Sequence, residues 1–268
     1  MLTLAIPPYA SPVHPTELKL HSREDLDDDA NDALIAGYLA AATELTETET
    51  GENDLSRITV IVVRKYELKL DGFPGGAIRV PRVPLVSVAS IAYIDLNGDT
   101  QTVSSALYSV AADGVISLAY NCYWPTARTI RNAVTVTFIA GLATPFTAVA
   151  STNVCTAYGR TFTDGDRVRA VNSGGELPTA LLPDTDYFVR DVSGSTFKLA
   201  LTSGGTAIDI TGAGFGTNFL TSEVWRFETL RAAIRLLAGN MYENREETYP
   251  GMIARLPVGA KALIAAAR

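Results

Sequence analysis

Residues that carry chemistry are scarce in this sequence. Two cysteines, Cys122 and Cys155, and two histidines, His14 and His21, are all that its 268 residues supply. Two cysteines do not make a disulfide framework in a chain this long, and no Cys-x-x-Cys or Cys/His spacing suggests zinc. Both histidines lie near the N-terminus, far in sequence from any nucleophile, and no Gly-x-Ser-x-Gly turn accompanies them. They read as surface histidines. Long apolar runs are missing as well: no stretch of 18 apolar residues occurs, so no membrane span is expected. The opening "MLTLAIPPYASPVHP" has no basic leader and breaks at Pro7–Pro8, which does not fit a secretory signal. Positive charge is in deficit, with 22 Lys and Arg against 29 Asp and Glu, a net charge of −7. A dedicated nucleic-acid binder needs clustered cations to displace the counterions of phosphate. An acidic wall suits a channel through which DNA slides without sticking. The chain is expected to be soluble and made in a reducing cytoplasm.

The pattern along the chain changes four times. Residues 1–15, with Pro7, Pro8, Pro12 and Pro15, predict an extended arm. Two helix starts follow, at Thr16–Glu17 and Ser22–Asp25. In the second helix Ala30, Ala33, Leu34, Gly37, Tyr38, Ala41, Ala42 and Leu45 recur at helical spacing and predict its buried face. The acidic run Asp27–Asp29 sits at its N-terminus, where the helix dipole favours negative charge, and Gly51 ends it. From 57 to 141 the sequence is β-rich. Tyr66, Leu68 and Leu70 alternate with Glu67 and Lys69, and Asn97–Gly98 marks a hairpin. Residues 142–222 are rich in Gly, Thr, Ser and Asp and predict a small all-β domain inserted in a loop. From 223 the chain is helical again. Phe227, Leu230, Ile234, Leu237 and Met241 form a narrow apolar seam on a helix expected from 224 to 247, about 36 Å long. Pro250–Gly251 breaks it, and "GAKALIAAAR" forms a last short helix. The fold class expected is α+β: a helical host (16–50 and 223–268 packed together), a β-rich middle (57–141), and the inserted domain 142–222.

No motif carries a specific reaction. "DGD" at 164–166 lacks the rest of a calcium loop and reads as a β-turn. "GAGFG" at 212–216 has no phosphate-cradling helix after it. The densest polar stretch is "LLAGNMYENREE" at 236–247. At about 100° per residue its side chains diverge around the helix, whereas an acid/base pair has to converge. Glu228, Arg231, Arg235, Tyr242 and Glu246 fall on one flank, and Asn240, Glu243 and Glu247 on the far side. Arg245 alone continues the apolar seam, which predicts a charge-assisted contact with a carboxylate. A hydrolase using Glu243 or Glu246 with Tyr242 would need a second carboxylate across a pocket. One helix does not supply that.

The order of parts is informative. "DDDANDALIAGYLAAATELTETETG", "YELKLDGFPGGAIRVPRVPLVSVASIAYIDLNGD", "YNCYWPTARTIRNAVTVTFIAGL" and "LRAAIRLLAGNMYENREE" together resemble the head–tail connector (adaptor) family of tailed bacteriophages. The likeness covers residues 16–142 and 223–268. Asp71–Gly76, the Pro81/Pro84 stretch, Trp124–Pro125 and Tyr242–Arg245 carry it. Asn240–Met241 depart from the aromatic pairing usual in that last helix. The resemblance implies a structural virion protein, not an enzyme, that forms a ring of twelve copies beneath the portal at the head–tail junction. Such a ring extends the DNA channel, passes double-stranded DNA without binding it specifically, and offers a docking surface to stopper or tail-completion proteins. The implied partners are the portal protein, those tail proteins and other copies of the chain, with the capsid reached through the inserted domain. No membrane, cofactor or metal is implied. The interaction residues it suggests are Arg231, Arg235, Tyr242, Glu243, Asn244, Arg245, Lys261 and Arg268.

A binding module is the alternative, with the inserted domain recognising a glycan or protein. Tyr158, Phe162, Tyr187, Phe188, Phe197, Phe215 and Phe219 would then cluster on one exposed face.

Overall fold

The computed structural model describes residues 1–51, 57–244 and 257–268. In chain order its strands are β1 (Leu2–Ile6), β2 (Ile58–Thr59), β3 (Arg64–Leu70), β4 (Ile78–Arg79), β5 (Arg82–Val83), β6 (Leu85–Ile94), β7 (Thr100–Thr102), β8 (Tyr108–Val110), β9 (Val115–Leu118), β10 (Val134–Ala140), β11 (Ala143–Val149), β12 (Val154–Ala157), β13 (Arg167–Glu176), β14 (Tyr187–Ser193), β15 (Thr196–Ala200) and β16 (Phe215–Thr221). Its helices are α1 (Pro15–Ser22), α2 (Asp32–Thr50), α3 (Val224–Glu243) and α4 (Val258–Ala266). The fold is α+β.

Period-two patterning builds the middle section. In β10, Val134, Val136, Phe138 and Ala140 are buried while Thr135, Thr137 and Ile139 face outward. This strand is the centre of a five-stranded sheet, order β1-β3-β10-β6-β7, antiparallel where it pairs with β3 and β6. Tyr66 of β3 stacks on Phe138 at 5.5 Å. A small sheet, β4-β9-β8, adds Ile78 and Ile116 to the same core. The proline-rich arm is built into the architecture: β1 pairs with β3 from Leu2↔Leu68 onward and forms the sheet edge. At the Asn97–Gly98 hairpin only Gly98 takes a positive φ (+96°). Asp95 holds the rest of the turn, its Oδ1 accepting the N–H groups of Asn97 and Asp99.

Strands β11 to β16 close into a six-stranded barrel, order β11-β12-β15-β14-β13-β16. Phe162, Tyr187, Phe197 and Leu220 fill its interior. Its outer wall is not all solvent-facing. Val171 and Phe219, opposite each other in the β13/β16 register, point out of the barrel into the helical core, where Phe219 meets Phe227 at 5.2 Å. At the junction, Gly141 has φ +152°, and a Cβ there would lie 2.5 Å from the Val63 backbone. Gly141→Ala is expected to cost at least about 1 kcal/mol, read as a lowered Tm.

Helices α1 to α4 pack around one core with Ile35, Leu39, Phe227, Leu230, Ile234 and Ile264. The buried helix faces differ from those that the sequence periodicity predicts. The buried side of α2 is Ile35, Leu39, Ala42, Thr43, Thr46, Glu47 and Thr50, whereas Ala33, Leu34, Gly37 and Ala41 are exposed. An alanine-rich helix is weakly amphipathic all round, so periodicity alone picks its face poorly. Two of its polar residues bind backbone groups of the segment that follows: Glu47 Oε1 accepts the Ile61 N–H at 2.9 Å and also pairs with Arg64 at 2.8 Å, and Thr50 Oγ1 accepts the Thr59 N–H at 2.8 Å. The helix also starts at Asp32, leaving Asp27–Asp29 in the preceding turns. The apolar face of α3 is broader than a seam, since Arg231, Ala233, Ala238, Gly239 and Tyr242 are buried too. Both cysteines are free. Burial inside the barrel pushes the Cys155 thiol up to about 12. Thiol alkylation at pH 8 is therefore expected to label the folded chain once, at Cys122, and to reach Cys155 only on unfolding, as mass spectrometry would record.

Candidate interaction site

The sequence-predicted interaction residues separate into interior and surface. Arg231 belongs to the interior, its side chain 4% exposed. Its guanidinium bridges Glu228 at 2.5 Å and also pairs with Glu17 of α1. Arg235 reaches the other oxygen of the same carboxylate at 2.6 Å. Glu17 further accepts the Ser173 hydroxyl at 2.7 Å and the Gly174 N–H at 3.1 Å, both on β13. One carboxylate thus joins α1, α3 and the barrel. Burial alone would push Glu17 up, but the charge of Arg231, the Ser173 hydroxyl and Arg235 together hold it below the usual carboxylate range. His14 supports the junction. Its backbone N–H donates to Ser173 Oγ at 2.8 Å, and its ring caps α1 by accepting the Thr16 N–H. Sequence spacing reveals none of this, because Glu17 lies 214 residues from Arg231.

Tyr242 is buried as well, edge-on to Tyr38 of α2 at 6.4 Å. Glu243, Asn244, Lys261 and Arg268 are exposed, with Asn244 turned back onto the Asn240 carbonyl and Arg268 donating to the Glu49 carbonyl at 2.6 Å. Arg245, with its expected carboxylate contact, and Glu246 lie outside the described residues. Among the described residues no group of His, Cys, Asp and Glu is placed to hold a metal, and no helix is long and apolar enough to cross a membrane.

An arginine-rich groove at the N-terminal end of α3 was not anticipated from the sequence. Arg167 and Arg169 of β13, Arg226 and Arg268 surround an open space of about 480 Å³, with Asp186 and Glu223 the only carboxylate side chains on its walls. Trp225 lies on its rim, 67% exposed. Asp186 engages Arg169 at 2.5 Å and Arg167 at 3.4 Å, and the hydrogen bond from Arg169 lowers its pKa. Arg226 donates to the Ala267 carbonyl and to Thr59 Oγ1, fixing α4 against α3 and β2.

The aromatic residues of the barrel do not gather on one exposed face. Phe162, Tyr187, Phe197 and Phe219 are buried. Tyr158 and Phe215, with Tyr9 of the arm, line a shallow groove of about 330 Å³.

No protein-family model matches the chain, and no curated protein matches it. Chains of similar fold occur in solved structures, three of which follow. One, described as the virion of a native gene transfer agent (GTA) particle, has a TM-score of 0.55 at 18% identity, covering 100% of this chain and 95% of that one. A second, the neck of an empty GTA particle computed with C6 symmetry, gives 0.54 at 17%, covering 100% and 95%. A third, the neck of a native GTA particle computed with C12 symmetry, gives 0.50 at 18%, covering 100% and 94%. At this identity the likeness establishes the fold.

Proposed function

We propose that this chain is a structural component of the neck of a phage-like particle, assembled as a ring of twelve copies beneath the portal. There it extends the DNA channel and offers a docking surface to stopper or tail-completion proteins. The observation that carries this reading is the extent of the structural match. It spans 100% of the chain, barrel included, and 95% of its counterpart in a GTA neck. The symmetries named for the two neck structures support a ring, and the net charge of −7 suits a conduit for DNA. The C-terminal helix α4, with exposed Lys261, is the proposed portal-facing element. The barrel, as an inserted module, is proposed to point away from the ring axis and reach capsid, tail or neighbouring subunits.

Mass determination of the chain with and without the portal protein tests the proposal. A ring near twelve times 28.6 kDa, formed alone or on the portal, is the expected result. A strict monomer in both conditions, with no portal contact, would sink it.

A further inference from the structure

We infer that the arginine groove at one end of α3 is the receptor for the acidic turn of a neighbouring copy, so that consecutive subunits join head to tail through these two surfaces. The inference rests on the proposed ring and specifies its subunit contact.

The donor is the segment Glu24-Asp25-Leu26-Asp27-Asp28-Asp29, five carboxylates in six residues, exposed from Asp25 onward. None of the five makes an ion pair among the described residues. The turn is held in place from behind by Lys19, which is buried, bonds the Asp28 carbonyl at 2.8 Å and pairs with Asp32 at 2.6 Å. It therefore presents its charge in a fixed shape, which limits the ordering entropy lost on docking.

The receptor has the opposite character. Four arginines and two acidic side chains line it in a chain that is acidic overall; Arg167 and Arg169 share the single carboxylate of Asp186, while Arg226 pairs with Glu223 and Arg268 bonds a backbone carbonyl. Its own carboxylates leave an excess of positive charge on that wall. The apolar residues match as well: Leu26 is exposed in the middle of the acidic turn, and Trp225 stands on the groove's rim. Trp and Arg are the residue types that most often anchor protein interfaces.

Geometry forbids the two surfaces from meeting within one chain. Helix α1 runs beside α3 in the same direction: Glu17 binds Arg231 and Arg235, and His21 lies against Gly239. The acidic turn after α1 therefore sits near the C-terminal end of α3, where Tyr38 also meets Tyr242. The groove is at residues 222–226, the N-terminal end. A helix of 20 residues separates them by about 30 Å. Complementary patches on different parts of a subunit are what a heterologous contact requires, and such contacts close into rings when the rotation permits. Charge complementarity also sets register and makes association sensitive to salt.

Two charge-reversed variants of the full chain test this. Arg167→Glu/Arg169→Glu alters the groove. Asp27→Lys/Asp29→Lys alters the turn at side chains that accept no hydrogen bond among the described residues. Circular dichroism and Tm establish that each folds, and Arg167→Glu alone, at the more exposed of the two arginines, replaces the groove variant if it does not. Native mass spectrometry and sedimentation, with and without the portal, read assembly at low and high salt. Each variant alone is expected to associate at least about tenfold more weakly than the parent. An equimolar mixture is expected to recover assembly, because alternating copies then meet with opposite charges at every junction. Parental rings that survive both reversals, or folded variants whose mixture fails to recover, would overturn this contact and leave the ring standing. A parent that never forms rings would overturn the proposed function together with it. Double-stranded DNA retained by the parent but not by the groove variant, with rings unaffected, would reassign the groove to phosphate.

Discussion

Glu17→Gln is expected to cost about 3 kcal/mol, because removing one partner of a buried ion pair leaves the other uncompensated. Arg231 is the residue left exposed to that cost: it is buried, and Glu228 alone would remain for it. The same change weakens the hold on Arg235 and on the Ser173–Gly174 corner of the barrel. For a chain of this size the loss corresponds to a Tm roughly 6–12 °C lower. A second signature separates this from ordinary packing damage. The folded pKa of Glu17 lies below its unfolded value, so its stabilisation is complete above the unfolded pKa and is lost as pH falls through the folded one. Stability plotted against pH should thus show an acid limb that Glu17→Gln flattens. Glu47→Gln should not flatten it, since burial raises the Glu47 pKa despite Arg64 and its linkage has the opposite sign. An unchanged acid limb in Glu17→Gln would show that the Glu17 charge does not stabilise the fold.

How far the sequence predicts such features depends on whether the causes are local. Alternation along β3 and β10, the Asn97–Gly98 hairpin and the apolar residues of α3 arise from neighbours in sequence, and the α+β class follows from them. Periodicity misplaces the face of α2 because its alanines carry little preference, while Glu47 and Thr50 are buried to serve backbone groups that only the folded chain brings near. Arg231 and Arg235 read as interaction residues with no partner named, because nothing in their helix announces Glu17, on an element at the other end of the chain. The arginine groove escaped for the same reason: β13, the start of α3 and the C-terminal residues converge there from three separate stretches. Long-range polar contacts are the part of a fold that periodicity does not encode.

How independently the six-stranded barrel folds turns on two adjacent side chains. Phe219 and Leu220 follow each other on β16, so they point to opposite faces of the barrel wall. Leu220 enters the barrel core, and Phe219 enters the helical core against Phe227. Phe219→Ala should cost roughly 3–5 kcal/mol and Leu220→Ala roughly 2–5 kcal/mol, so overall stability does not distinguish them. Amide hydrogen exchange should. With Phe219→Ala, protection is expected to fall in α3 and along the docked edge of β13, while Val189 and Leu199 inside the barrel keep theirs. With Leu220→Ala, the barrel amides should open first and α3 should hold. The same exchange pattern in both variants would mean that barrel and helices open as a single cooperative unit. In that case removing residues 143–221 would strip Phe227 of its partner and leave the Arg231–Glu17–Ser173 junction incomplete, and the helices would not be expected to fold without the barrel.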